Sequence, residues 1–111
     1  MTNRLVRNGQ VAVLISPGYG AGWSTWHPDL GVDDRLLFDP QIADMLLADE
    51  PRDARIEKIR SLVAIKYPDV AQGGIPDLEV VMMEPGTRFV VREYDGNEWI
   101  ELEREIAWKV A

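Results

Sequence analysis

Residues 11–26 read VAVLISPGYGAGWSTW, and this stretch decides how the rest of the chain can fold. A short apolar run over residues 11–15 is followed closely by Pro17, which cannot donate a hydrogen bond to a sheet, so we predict a strand that ends there. Both alternating sets of side chains in the run are largely apolar, which predicts a strand that is covered on both faces. The loop that follows combines three glycines with three large aromatic rings: Gly18, Gly20, Gly22, Tyr19, Trp23 and Trp26.

This Gly-aromatic loop, residues 17–27, has two interpretations. In the first, the rings fill the core beside the glycines. In the second, they form a stacking surface for a base, a sugar or the side chain of a partner, and the glycines allow a close approach because they lack a Cβ atom. Hydroxyl groups and the chain's one histidine lie in the same segment. The second interpretation gives these candidate binding residues: Gly18, Tyr19, Gly20, Gly22, Trp23, Ser24, Trp26 and His27.

The length and composition limit the classes of protein. A chain of 111 residues has the length of a single domain. The absence of cysteine excludes disulfides and thiolate zinc sites and fits a reducing compartment. No apolar run approaches the roughly 18 residues of a membrane span, and the N-terminus lacks the apolar stretch of a signal peptide. The net charge of −7 disfavours direct binding to nucleic acid; it either serves solubility alone or suits a basic protein surface.

Turn and capping signals predict the elements of the first two thirds of the chain. Asn8-Gly9 predicts a hairpin between residues 4–7 and the strand that follows. Asp39-Pro40 is a typical helix start, so we expect one helix over residues 40–48 and a second from about 53, where Asp53 is its cap, to about 66. Three apolar side chains are expected to pin the end of the acidic loop 27–39 to the core: Leu36, Leu37 and Phe38.

Strand and turn signals dominate the last third. We predict strands over residues 78–84 and 88–94, with a type II turn at Pro85-Gly86 between them. Asp95-Gly96 predicts a tight hairpin into a last strand from Trp99 onward, with one wet face. These three strands are expected to form a meander. The predicted fold class is therefore α+β, with two helices packed on a mostly antiparallel sheet of about four to five strands.

Motifs for catalysis and cofactor binding are incomplete in this sequence. The loop glycines do not lead into a helix as a dinucleotide fingerprint requires, and no lysine occurs before Lys58 to complete a phosphate loop. The segment Gly22-Trp23-Ser24-Thr25-Trp26 resembles a nucleophile elbow without its second glycine, and His27 lies only three residues from Ser24, so a small hydrolase is the least favoured alternative. The acidic loop around Asp33 lacks metal-ligand spacing. Three carboxylates near the hairpin tip are interpreted as turn chemistry and charge: Glu93, Asp95 and Glu98. We expect no catalytic residue, metal or cofactor.

Two segments, PGYGAGWSTW at residues 17–26 and REYDGNE at residues 92–98, resemble a family of small, mostly uncharacterised proteins of bacteriophages and prophages. The resemblance covers most of the chain, including the helix start at Phe38-Asp39 and the pair Gly73-Gly74 before a strand. It implies phage origin and action in the host cytoplasm, and it assigns no catalytic residue. Small acidic phage proteins of this kind often act by binding host machinery, notably defence systems.

Two functional hypotheses follow. The first is a non-enzymatic phage accessory protein that binds a host protein, for example to inhibit a nucleic-acid-binding defence complex such as CRISPR–Cas. The second is a binder that sequesters a nucleotide or nucleotide signal in the Gly-aromatic loop, with phosphate contacts from arginines. Arg92 and Tyr94 complete the candidate binding residues, with Arg88 and Arg104 as further phosphate contacts. Exposed tryptophans would favour a homodimer.

Overall fold

The computed structural model describes residues 4–18, 22–25, 34–70 and 73–103. Over these ranges, two helices of two turns or more and five antiparallel strands confirm the predicted α+β class. A one-turn helix and a short 3-10 helix, Ile75–Asp77, complete the described elements. In chain order the strands and α-helices are β1 (Val6–Arg7), β2 (Gln10–Ile15), α1 (Asp34–Leu37), α2 (Pro40–Leu47), α3 (Arg52–Lys66), β3 (Glu79–Met83), β4 (Phe89–Tyr94) and β5 (Asn97–Leu102).

Strand β2 lies at the centre of the fold, and the prediction that both of its faces are covered is confirmed. One face joins a core cluster with the helices, which contains Ala12, Leu14, Ile42, Ile59 and Val63. The opposite face joins a second cluster, in which the β4–β5 hairpin covers the sheet: Val13, Leu37, Phe38, Met83, Val91 and Ile100. The described elements therefore form three layers, which are the helices, the sheet β1–β2–β3 and the hairpin β4–β5.

Two tight hairpins form where the sequence predicts them. Asn8-Gly9 joins β1 to β2, and Asp95-Gly96 joins β4 to β5. All four of these residues have positive φ, between +51° and +83°. Two consecutive positive φ values are the requirement of a type I′ turn, whose twist matches that of the flanking strands.

The turn between β3 and β4 explains why the strands fall into two sheets. Gly86 has a φ of +82°, and the N–H of Thr87 donates to the carbonyl of Glu84 at 3.2 Å, as in the predicted type II turn. A type II turn splays its flanking strands. Strand β3 pairs with β2, and β4 pairs with β5 in a separate sheet. The prediction of a three-stranded meander is therefore wrong.

The helix boundaries follow their local signals. The carboxylate of Asp39 accepts a hydrogen bond from the N–H of Ile42 at 2.9 Å, which confirms it as the cap of α2. Helix α3 begins at Arg52 with Pro51 as its cap, two residues before the predicted cap Asp53, which lies in the first turn. The three apolar residues expected to pin the acidic loop are buried: Leu36, Leu37 and Phe38.

Candidate functional site

A buried carboxylate, that of Glu98 on β5, binds both described ends of the Gly-aromatic loop. The Glu98 side chain is fully enclosed. Its Oε1 atom accepts a hydrogen bond from the N–H of Ser16 at 2.9 Å. Its Oε2 atom accepts bonds from the N–H groups of Trp23 and Thr25 at 3.0 and 3.1 Å, and from the Thr25 hydroxyl at 2.5 Å. We call these four residues the Glu98 clamp.

Further hydrogen bonds fix the start of the loop on the same side of β5. The N–H of Glu98 donates to the carbonyl of Ser16 at 3.0 Å, and the N–H of Gly18 donates to Oδ1 of Asn97 at 2.8 Å. The Ser16 hydroxyl donates to the carbonyl of Gly74 at 3.0 Å. Gly18 has a φ of +115°, a conformation that favours glycine. Ser16 therefore connects the start of the Gly-aromatic loop to the Gly73-Gly74 pair.

Trp23 is a core residue. Only 1% of its surface is exposed, and its indole N–H donates to the carbonyl of Leu36 at 2.8 Å. The expectation that Trp23 offers its ring to a ligand is corrected accordingly, because the ring is enclosed by the protein itself. Gly22 and Ser24 are also buried, and within the described ranges the Ser24 hydroxyl has no hydrogen-bond partner. Four predicted site residues lie outside the described ranges: Tyr19, Gly20, Trp26 and His27.

The β4–β5 hairpin exposes aromatic side chains on the face that points away from the core. Residues directly opposite one another in an antiparallel pair share a face, and the register places Arg92 opposite Trp99 and Val90 opposite Glu101. Tyr94 is 70% exposed and Trp99 is 40% exposed. We call this surface the outer face and define it by five residues: Val90, Arg92, Tyr94, Trp99 and Glu101.

Of the ten predicted binding residues, the outer face brings together only the two from the hairpin. Arg92 lies opposite Trp99 and two residues before Tyr94, and its Nε atom is 3.2 Å from Oε2 of Glu101. The described loop residues instead attach the hairpin to the rest of the protein, through hydrogen bonds to Asn97 and Glu98. Sequence analysis missed Trp99 as a surface residue, although its odd position shares the face of Glu101. It also assigned Glu98 to turn chemistry, although Glu98 shares the inner face with Ile100.

Charge is concentrated in the part of the chain that carries the outer face. Residues 79–103 contain seven carboxylates and two arginines, a net charge of −5 out of −7 for the whole chain. Both arginines form exposed ion pairs with glutamates of this segment, Arg88 with Glu103 and Arg92 with Glu101. Glu98 is buried, so the surface charge of this segment comes from exposed carboxylates at the two ends of the hairpin: Glu93 and Asp95 at its tip, and Glu84 and Glu103 at the opposite end.

A second buried carboxylate, that of Asp39, has a structural role. Besides capping α2, it accepts hydrogen bonds from the Lys66 ammonium group at 2.7 Å and from the Tyr67 hydroxyl, both at the end of α3. Burial raises the pKa of Asp39. The hydrogen bonds from Lys66, Tyr67 and Ile42, with the charge of Lys66, outweigh that effect and hold the pKa below its ordinary value of 3.8. The ionised carboxylate thus joins the two helices.

The lowered pKa of Asp39 predicts a loss of stability in acid. A carboxylate with a lowered folded-state pKa contributes stability that is fully present above its unfolded pKa and is lost as the pH falls through the folded one. We expect the Asp39→Asn variant to unfold about 2 kcal/mol more easily at pH 7 and to show a shallower decline below about pH 4. Urea titrations at a series of pH values measure the free energy of unfolding of each protein as a function of pH. If this free energy falls equally steeply with decreasing pH in the two proteins, the assignment to Asp39 is contradicted.

Across residues 4–18, 22–25, 34–70 and 73–103, no three metal-ligating side chains come together. No helix in those same ranges is long and apolar enough to cross a membrane. Comparisons of the chain with protein-family models, with curated proteins and with solved structures gave no match.

Proposed function

We propose that this protein acts by binding a basic protein partner through the outer face of the β4–β5 hairpin. The exposure of Tyr94 and Trp99 on one side of a two-stranded sheet carries the proposal. Tyrosine and tryptophan are enriched among the residues that dominate binding energy at protein interfaces. Packing of the hairpin's inner face on the sheet, together with the Glu98 clamp, gives these two rings a fixed support.

The charge of the hairpin segment supports a basic partner. Exposed carboxylates at both ends of the hairpin, Glu93 and Asp95 beside Tyr94 and Glu103 at the far end, give the surface around the aromatic rings a negative potential. Complementary charge accelerates association and discriminates against acidic competitors. Surfaces that normally bind nucleic acid have the required positive charge.

The resemblance to phage proteins extends the proposal to a biological role. A phage accessory protein with an acidic, aromatic face would act inside the host by covering the basic surface of a nucleic-acid-binding complex, such as a CRISPR–Cas defence complex. This role requires binding alone and no catalysis. The chemistry of the outer face and the resemblance support it independently of one another.

The nucleotide hypothesis has less support than the protein-binding one. The Trp23 ring is enclosed in the core, so it is not available to stack on a base. Two of the three arginines expected to contact phosphate, Arg88 and Arg92, are paired with Glu103 and Glu101, and Arg104 lies outside the described residues. A nucleotide would have to displace these carboxylates and approach a segment of net charge −5.

Site-specific photo-cross-linking tests the proposal. A benzophenone amino acid replaces Tyr94 in one protein and Ile65 in a control protein, because Ile65 is 82% exposed but lies on α3. We expect irradiation in host cells to give a discrete adduct with a basic protein from position 94 and none from position 65. Equal adducts from both positions, no adduct from position 94, or an adduct only between two copies of the chain would contradict the proposal.

A further inference from the structure

A cleft of about 730 Å³ separates β3 from β5. Its walls carry apolar side chains from both sheets, among them Val81 and Met83 on one side and Ile100 and Leu102 on the other. The cleft exists because the type II turn at Pro85-Gly86 directs β4 away from β3 and leaves the two strands in different sheets. Its mouth lies at this turn and at the end of β5, where Glu84 and Glu103 are exposed.

Strand β3 borders the cleft with an edge that lacks the usual protection. It is the last strand of its sheet in the order β1–β2–β3, within the described part of the chain. Its sequence, EVVMM, contains no lysine or proline, and its five residues pair one to one with β2, so no bulge bends it. Edge strands without lysine, proline or a bulge are templates for pairing with another chain.

We propose that the cleft takes an extended segment of the basic partner, which adds as a new strand to the free edge of β3. Strand addition supplies main-chain hydrogen bonds for affinity, while alternate side chains of the added segment enter pockets and give specificity. Val81 and Met83, on the face of β3 toward the cleft, provide an apolar surface, and methionine adapts to side chains of different shape. The cleft thus adds a second contact to the outer face.

The charges around the cleft select a basic segment as its occupant. Glu84 lies at the end of β3 and Glu103 at the mouth of the cleft beside Arg88, with which it forms an ion pair. Two carboxylates and one arginine leave a net negative charge. Lysine or arginine at alternate positions of the added strand would face these carboxylates, while the intervening apolar side chains face the cleft. This inference rests on the proposed function for the basic character of the partner.

A short peptide of alternating valine and lysine is the probe, and amide hydrogen exchange of the intact protein is the readout. At about nine-tenths saturation we expect exchange at the outward amides of β3 to slow about tenfold. The same peptide N-methylated at every residue, and a valine–glutamate peptide, should give no protection. Protection confined to β4 and β5, protection by the N-methylated peptide, or no protection at all would overturn the inference.

Charge variants separate the cleft from general electrostatic attraction. Glu84→Lys lies at the cleft, and Glu57→Lys makes the same change in net charge on the exposed side of α3. We expect the first to weaken peptide binding roughly fivefold and the second to leave it nearly unchanged. Equal weakening would overturn strand addition at β3. If the peptide does not protect β3 but position 94 still cross-links to a basic protein, the inference about the cleft is wrong and the proposed function stands. The two proposals can therefore fail separately.

Discussion

Replacing Glu98 by alanine is expected to lower the free energy of unfolding by about 4 kcal/mol, a large part of the stability of a small protein. The substitution removes both acceptor oxygens of the Glu98 clamp. Three backbone N–H groups, those of Ser16, Trp23 and Thr25, then lose their partners. Each buried donor left without an acceptor costs about 1–3 kcal/mol. We expect both the Gly-aromatic loop and the hairpin to be destabilised, because Glu98 joins them.

Two companion variants define the cause of this loss. Glu98→Gln retains the shape of the side chain but turns one acceptor into a donor, so we expect an intermediate loss of about 2 kcal/mol. Glu101→Ala removes a carboxylate from the outer face of the same strand, and its exposed ion pair with Arg92 predicts a change of less than about 1 kcal/mol. Urea denaturation measures all three variants. Equal losses from Glu98→Ala and Glu101→Ala would contradict the role of the clamp.

Much of the fold could be predicted because its signals are local. Asn8-Gly9 and Asp95-Gly96 specify their turns through the φ angles of two residues. The apolar side chains on both faces of β2 likewise predict, from this segment alone, that the strand is buried on both faces. The separation of β3 from β4 was not predicted, although the sequence indicates the type II turn between them. Strand pairing across that turn is decided by two competing partners: β5, which follows β4 through a tight hairpin, and β2, which lies far from β3 in the chain.

The candidate site was predicted only in part, for a related reason. Alternation along β5 places Glu98 with Ile100 and Trp99 with Glu101, so the faces of these residues were accessible from the sequence. The donors that bind Glu98 could not be predicted from the sequence, because Ser16 lies 82 positions and Thr25 lies 73 positions from Glu98 in the chain. The burial of Trp23 depends in the same way on tertiary contacts, with Ile42 and Ile59 among the core residues around it.

The double variant Tyr94→Ser/Trp99→Ser is expected to weaken binding of the cross-linked partner by at least about 100-fold. Both side chains are exposed, so their loss removes contact area from the outer face without opening the core. Ile65→Ser is the matched control, since it removes an exposed apolar side chain from α3. Urea midpoints within experimental error of the unaltered protein would establish that each variant remains folded.

The measurement that tests the central claim most directly is therefore the dissociation constant of the recovered partner for these two variants and the unaltered protein. If the outer face is the binding surface, the double variant loses at least about 100-fold in affinity and Ile65→Ser stays within about twofold of the unaltered protein. A folded double variant that binds within about threefold of the unaltered protein would contradict the claim, and the working surface would then lie elsewhere on the molecule.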